Sequence, residues 1–170
     1  MTAIGLRPAR WIDALWVWRQ RNRSIHADLV PHRVGLREHW RWWRTHVADS
    51  RLCQLWILTD ARGQRLGFVR FDRARDGRTM TVSMVMVSRY RNQGWGGLGL
   101  ELALYQTRVL WPAVSRVEAY VRPDNVRAQM FWRRHRFVRD SLADHVFDGL
   151  CYTRSLTHAA GLSVSVSPSG

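Results

Sequence analysis

The chain contains no lysine: all 27 of its basic residues are arginine, against 13 acidic residues, for a formal net charge of +14. Replacing one residue type wholesale points to a compositional bias, so part of this charge is background. The sum still draws anions to the surface, whether coenzyme phosphates, sugar nucleotides, anionic lipid or nucleic acid. Cysteine is nearly absent as well. Cys53 and Cys151 form no spaced motif and stand among apolar neighbours, the setting of buried reduced thiols rather than of a disulfide or a nucleophile. No apolar run reaches membrane-spanning length. The opening residues Met1 to Gly5 lack a basic-then-apolar leader, and a cytoplasmic location is expected. The seven histidines show no ligand spacing such as His-Glu-x-x-His, and no metal is expected.

Internal repeats and interdomain linkers are missing too. A chain of 170 residues suits one domain, here residues 1–156, and the small polar stretch 157–170 reads as a disordered tail. Within the domain, periodicity predicts a short strand at 3–8 and a helix at 10–22 with Trp11, Leu15 and Trp18 on one face. A second helix is predicted at 35–48, with a stripe of Leu36, Trp40, Trp43 and Val47. Strands follow at 53–59, 65–73 and 79–87, joined by turns around Gly63 and Asp76-Gly77 into an antiparallel meander. A helix runs from the glycines at 94–97 to about 110, ahead of Pro112. Val117, Ala119 and Val121 alternate with Arg116, Glu118 and Tyr120 in a strand at 115–122. Asp124 or Asn125 caps a helix to about 135, and strands at 137–141 and 149–156 end the order β-α-α-β-β-β-α-β-α-β-β.

The chemistry concentrates between Val85 and Phe137. A strand, the turn Arg91-Asn92-Gln93-Gly94-Trp95-Gly96 and a helix N-terminus together make an anion site. Free backbone N–H groups point outward there and the positive end of the helix dipole adds to them. Glycine at 94 and 96 lets main chain approach phosphate oxygens, and Arg91 adds a charged donor. Ordinary turn chemistry also places glycines before helices. The segment is not a phosphate-binding loop of the Gly-Lys-Ser/Thr type, and antiparallel strands precede it, so it is not a dinucleotide fingerprint.

Arg91-x-x-Gly94-x-Gly96 resembles the acetyl-CoA pyrophosphate motif of the GNAT acetyltransferases. Val85-Met86-Val87-Ser88-Arg89-Tyr90-Arg91 is similar to the lead-in of that motif, with Arg89 where proline is common. Asn125-x-x-Ala128-x-x-Phe131-Trp132 resembles the family's second coenzyme motif, with Arg136-Phe137 in place of its closing Gly-Phe. Leu6-Arg7-Pro8-Ala9 followed by Asp13 is similar to the usual start. The resemblance covers about residues 3–155. It implies an α/β (α+β) fold: a mostly antiparallel central sheet with a splayed strand pair and helices on both faces. Acetyl-CoA would lie in the splay, held by Met86, Val87, Arg91, Asn92, Gln93, Gly94, Trp95, Gly96, Gly97, Asn125, Phe131 and Trp132. A small amine would attack the thioester directly.

Two departures bear on proton transfer. The family's usual thiolate acid is a tyrosine at the position of Trp132, whose indole is no useful acid. The strand at 79–87 carries no carboxylate where many members place a base. Glu118 is the best remaining carboxylate, or else a salt-bridged surface glutamate. Ser83 and Tyr120 are candidates to order a water, and Tyr120 to donate a proton.

For the acceptor, Leu15-Trp16-Val17-Trp18-Arg19 and Glu38-His39-Trp40-Arg41-Trp42-Trp43 resemble segments of GNAT enzymes that acetylate nucleotide-linked amino sugars in the pseudaminic acid pathway. They match the RimJ/RimL-type branch more loosely. Trp18, Arg19 and His39 are therefore candidate acceptor contacts, His39 with a purely structural role as the alternative. Acetylation of a protein N-terminus, lysine or drug stays open, as do a catalytically silent acetyl-CoA sensor and a homodimer. A nucleic-acid module leaves the ordered motifs unexplained, and the arginines form no stripe. Acetyl-CoA should bind without metal: calorimetry in a chelator should still show saturable heat, and its loss would remove the resemblance's main implication.

Overall fold

The computed structural model describes residues 4–24, 32–143 and 149–156. The expected tail at 157–170 lies outside the described residues. Strands β1 (Gly5–Pro8), β2 (Cys53–Thr59), β3 (Arg65–Arg73), β4 (Thr79–Met86), β5 (Arg116–Val121), β6 (Val138–Arg139) and β7 (Leu150–Ser155) form one sheet ordered β1-β2-β3-β4-β5-β7-β6. Helices α1 (Ala14–Arg23), α2 (Leu36–Trp42), α3 (Trp95–Leu110) and α4 (Val126–Arg134) complete the predicted order. All pairings are antiparallel except β4 with β5. This is the mostly antiparallel α/β architecture expected.

Local chemistry fixes the meander. The Asp60 carboxylate accepts the N–H groups of Arg62 and Gln64 while Gly63 takes φ +77°. Asp76 accepts those of Arg78 and Thr79 around Gly77 at φ +68°. Both are Asx-type turns with glycine in the left-handed position. Because strand side chains alternate, the sheet presents two different faces. On one, Leu58, Val69, Phe71, Val82, Val117 and Ala119 pack with Leu100 and Ala103 of α3 and Trp132 of α4. There the Trp56 indole donates to the buried Thr107 hydroxyl at 2.9 Å. On the other, Cys53, Leu55, Ile57 and Phe68 pack with Ala14, Val17 and Trp43. Both cysteines are free and buried, as their surroundings predict.

The first two helices differ from expectation in their orientation. Ala14 and Val17 form the buried face of α1, while Trp11 and Leu15 are exposed. Small side chains let the helix sit close on β2 and β3, and the tryptophans lie at its margin, Trp11 stacked on Trp40 at 5.8 Å. The cause is Asp13. Its carboxylate, fully buried, accepts the Arg10 N–H at 2.8 Å and closes a 3-10 turn, Trp11–Asp13, ahead of α1. In α2 only His39 is buried, and the helix continues as a π-helical turn, Trp43–Val47, where only Trp43 is buried.

Asp13 also binds three elements together. Arg7 of β1 meets it in a two-pronged pair at 2.7 and 2.8 Å, and Arg65 of β3 reaches it at 3.0 Å. Burial would raise its pKa, but these partners outweigh burial and hold it below the usual carboxylate range. Removing one partner of such a buried network costs about 3–5 kcal/mol. The arginines are each about one-third exposed and regain some hydration, so Asp13→Ala should cost about 3 kcal/mol. A carboxylate with a depressed folded pKa stabilises above its unfolded value and loses that contribution as pH falls. The gap between wild-type and Asp13→Ala urea midpoints should therefore be full at neutral pH and shrink below about pH 4. An equal gap at pH 3 and pH 7 would contradict this role.

Candidate active site

β4 and β5 pair over only three residues: Thr79 with Arg116, Met80 with Val117 and Thr81 with Glu118. Beyond that point β4 stays bonded to β3, and β5 to β7, on their outer sides. A gap therefore opens from Val82 and Ala119 onward. Val87 N–H donates to Leu66 on β3, so by strand alternation the main-chain groups of Met86 and Met84 turn toward the gap.

Side chains on the face toward α1 and α2 are polar at the apex. Glu118 occupies the last β4–β5 pair, and Tyr120 and Ser83 are the next side chains on that face along the two diverging strands. The Glu118 carboxylate accepts the Tyr120 hydroxyl at 2.9 Å and Arg116 Nε at 2.9 Å. Arg116 continues to Asp140 at 2.7 Å. Burial, then the bond to Glu118, push the Tyr120 phenol well above its usual pKa. Glu118 and Tyr120 are thus brought together, while Ser83, across the opening on β4, accepts from Arg70 at 3.3 Å.

The turn after β4 is built as a cradle. Asn92 and Gly94 take φ +61° and +80°, and α3 starts with no side-chain cap on its N–H groups. Arg91 Nε donates to the Met86 carbonyl at 2.9 Å, tying the turn to the gap's edge. Gln93 bonds the Arg89 carbonyl at 2.8 Å and accepts the Trp95 indole at 3.1 Å, which braces the loop. Gly96 lies against Met84, Met86 and Phe131. Burial and the adjacent positive charge of Arg127 lower the Arg91 pKa. Arg127 was missed in the sequence. Its charge acts on Arg91, two positive charges near one another favour an anion between them, and only the fold brings the first turn of α4 near this loop.

The remaining candidates are held by contacts within the chain. Gly97 is a packing glycine: it is buried, its N–H donates to Gly94, and a Cβ would collide with the His135 ring. Trp132 is a core side chain, 6% exposed between Phe131 and Phe137, rather than part of an open rim. Asn125 caps α4 by accepting the Ala128 N–H at 3.1 Å. His39 is buried and donates Nε2–H to the Ala14 carbonyl at 2.8 Å; burial lowers its pKa. Trp18 and Asn22, one helical turn apart, both donate to the Val34 carbonyl. Arg19 alone of the acceptor candidates is exposed. One further cluster, His46, Cys53 and Asp72, groups three potential ligand atoms within 4.8 Å. Its polar contacts are already internal: Asp72 is hydrogen-bonded to His46 Nε2 at 2.9 Å and ion-paired with Arg70, and burial keeps the Cys53 thiol protonated.

The turn at 91–96 can be tested against strain. Gly94→Ala meets no atom within 4 Å and carries only the cost of its φ, about 1–2 kcal/mol. It should keep the fold and weaken acetyl-CoA binding by crowding the phosphates, whereas Gly94→Glu should abolish binding by charge repulsion. Arg91→Ala and Arg127→Ala should each weaken binding about tenfold in calorimetry. Wild-type affinity in all four would move the phosphates off this turn.

Comparison with known proteins agrees with this geometry. The sequence profile described as Acetyltransferase (GNAT) family matches residues 12–137. No curated protein matches the sequence. Among solved structures, the ribosomal-protein-alanine N-acetyltransferase of Brucella melitensis superposes with a TM-score of 0.73 at 17% identity, covering 89% of this chain and 99% of its own. Spermidine N-acetyltransferase from Vibrio cholerae, in complex with CoA and spermine, gives 0.72 at 14%, covering 90% and 94%. A GNAT acetyltransferase from Staphylococcus aureus Mu50 gives 0.72 at 13%, covering 91% and 100%. At these identities the likeness is one of fold. The profile match spans most of the chain, and the chain belongs to the acetyltransferase (GNAT) family, as an N-acetyltransferase whose acyl donor is acetyl-CoA.

Proposed function

We propose that the chain acetylates the single amine of a small acceptor that enters from the α1–α2 side of the sheet, with acetyl-CoA lying between β4 and β5. The observation that carries this reading is the position of Ser83, Glu118 and Tyr120 around the apex of the gap. The pantetheine runs along the main chain of Met84 and Met86. The pyrophosphate sits on the N–H groups at the start of α3, with Arg91 and Arg127 beside it.

The amine nitrogen attacks the thioester carbon and the carbon–sulfur bond breaks. The nitrogen loses one proton to Glu118, directly or through a water that Ser83 orients. The departing thiolate takes a proton from Tyr120, whose raised pKa keeps the phenol loaded. Glu118 then returns its proton to the phenolate across their 2.9 Å hydrogen bond, and both residues are reset. The coenzyme thiol has roughly the acidity of a free cysteine, about pKa 8.5, so the thiolate leaves readily and its protonation can follow bond breaking. Orientation of the amine supplies much of the rate.

The acceptor class we favour is a nucleotide-linked amino sugar. Around the apex, arginines and carboxylates offset one another, Arg70 with Asp72 and Arg116 with Glu118 and Asp140. A polyamine finds no excess of negative charge there, and a net charge of +14 repels it. A diphosphate is attracted, and Arg19, exposed on α1, is the cation we assign to it. Trp18, Asn22, Glu38 and His39 contribute by shaping the α1–α2 wall through internal bonds.

An acceptor panel read by thiol release should favour amino-sugar nucleotides over spermidine and over alanine-terminated peptides; a preference for spermidine or peptide would reject this class. Glu118→Gln should lower kcat by about 10²–10⁴ with acetyl-CoA affinity unchanged. Tyr120→Phe should cost about 10². Because the phenol stays protonated, wild-type kcat should show no alkaline decline up to about pH 9. Full turnover in Glu118→Gln would remove the base. A chain that binds acetyl-CoA and acetylates no amine would be a sensor.

A further inference from the structure

Among the described residues, one buried side-chain polar atom has no hydrogen bond: Nε of Arg70. Native interiors leave few such groups, and each calls for a reason. Arg70 stands on β3 between Leu55 of β2 and Ser83 of β4, so its side chain lies on the face toward α1 and α2. On that face Asp72, Thr81 and Glu118 form one cross-strand row, and Arg70 and Ser83 belong to the next row, where the opening has begun. Arg70 is thus one strand away from the apex.

The guanidinium is held from three sides without being satisfied. Asp72 Oδ2 lies 2.8 Å from Nε and supplies charge but no hydrogen bond. Cζ lies 5.4 Å from the centre of the Trp42 ring. Nη2 donates to Ser83 Oγ at 3.3 Å, a long bond and the only one the guanidinium makes among the described residues. Arginine carries five N–H donors, and this side chain is only 33% exposed. A fork fixed in place with most of its donors unused is set to receive an incoming group.

That group is a neutral oxygen. Asp72 already offsets the guanidinium charge, and its other oxygen is bonded to His46 Nε2 at 2.9 Å. Glu118 adds a second negative charge two strands along the row of Asp72. An ionised group close to the acceptor amine therefore gains little here, whereas a hydroxyl still meets several donors. Distance narrows the choice further. Ser83 lies between Arg70 and the opening, and neighbouring strands stand about 4.8 Å apart. A hydroxyl on the carbon next to the amine, plus one hydrogen bond of about 2.9 Å, spans about that gap. A plain alkylamine leaves the fork unpaired.

We propose, on the reading that acetyl transfer takes place at the apex, that Arg70 is the specificity-determining residue of the acceptor site. Its outer N–H groups take the oxygen of a hydroxyl on the carbon next to the reacting amine, so a vicinal amino alcohol, the unit an amino sugar contains, is preferred to a simple amine.

A vicinal aminocyclohexanol, cyclohexylamine and the matching aminocyclohexanecarboxylate share a ring and an amine and differ in the neighbouring group. Thiol release should give the amino alcohol a kcat/KM roughly 10- to 100-fold above cyclohexylamine, the contribution of one hydrogen bond to a charged group, and the carboxylate none of that gain. Arg70→Lys keeps a charge opposite Asp72 but not the fork. It should bring the ratio toward unity through a higher KM for the amino alcohol, with acetyl-CoA affinity unchanged, whereas a purely structural role would slow all three acceptors alike. Saturation-transfer NMR on the CoA-bound chain reads the same preference without turnover. A binding preference with no turnover would reject acetyl transfer at the apex and keep this role of Arg70. Turnover at equal rates for the amino alcohol and cyclohexylamine would do the reverse. A carboxylate preferred to the hydroxyl, a ratio that survives Arg70→Lys, or binding of none of the three would also overturn the proposal.

Discussion

Everything at the candidate site depends on how briefly β4 and β5 are paired. Their parallel ladder lasts three residues, and each strand is then held by its other neighbour. A longer ladder would seal the sheet and leave no main chain for a thioester-bearing arm to meet. A shorter one would let the two halves part. The ladder ends at Thr81–Glu118, which sets Ser83 and Tyr120 on opposite lips of the opening. The position of the chemistry therefore follows from register. A one-residue slip of β5 would send Glu118 and Tyr120 to the α3 face and bring Val117 and Ala119 into the opening.

The all-arginine composition shapes this architecture. The planar guanidinium fork serves several carboxylates at once, which a point-charge ammonium does less well. Arg7 and Arg65 converge on Asp13, and Arg116 spans Glu118 and Asp140. Arg154 takes both oxygens of Glu101. These pairs join elements distant in sequence, so much of the positive charge acts inside the fold. Arg91 and Arg127 stand apart: the charge of Arg127 lowers the Arg91 pKa at the turn where the phosphates are expected, and like charges brought together favour an anion between them.

Much of this fold was legible because it is written locally. Strand alternation, the Asp60 and Asp76 turns and the glycines ahead of α3 each act within a few residues, and β2 and β3 fall on their predicted limits. The face of α1 was not legible. Trp11, Leu15 and Trp18 dominate any count of hydrophobicity, yet close packing on β2 selects Ala14 and Val17, and Asp13 sets the entry angle through Arg7 and Arg65. His39 is similar: a histidine in a tryptophan-rich helix resembles a ligand contact until the Ala14 carbonyl is found beside it. Arg127 needed the opposite information, a partner 36 residues away in sequence that only α4 packing brings near.

Trp132 joins these threads. The family's tyrosine would present a hydroxyl from α4, but here the helix presents an indole packed against Phe131 and Phe137. A buried tyrosine hydroxyl needs a hydrogen-bond partner, whereas tryptophan fills the same space with mostly apolar surface. If the proton donor is lost from the helix side of the gap, it must come from the strand side. Tyr120 is suited to that place because Glu118, bonded to it, can return a proton after each turnover. On this reading the base and the acid share one strand and one hydrogen bond. The pair then depends on the register of β5 rather than on the docking of α4, and Arg116, anchored to Asp140, keeps that carboxylate in position.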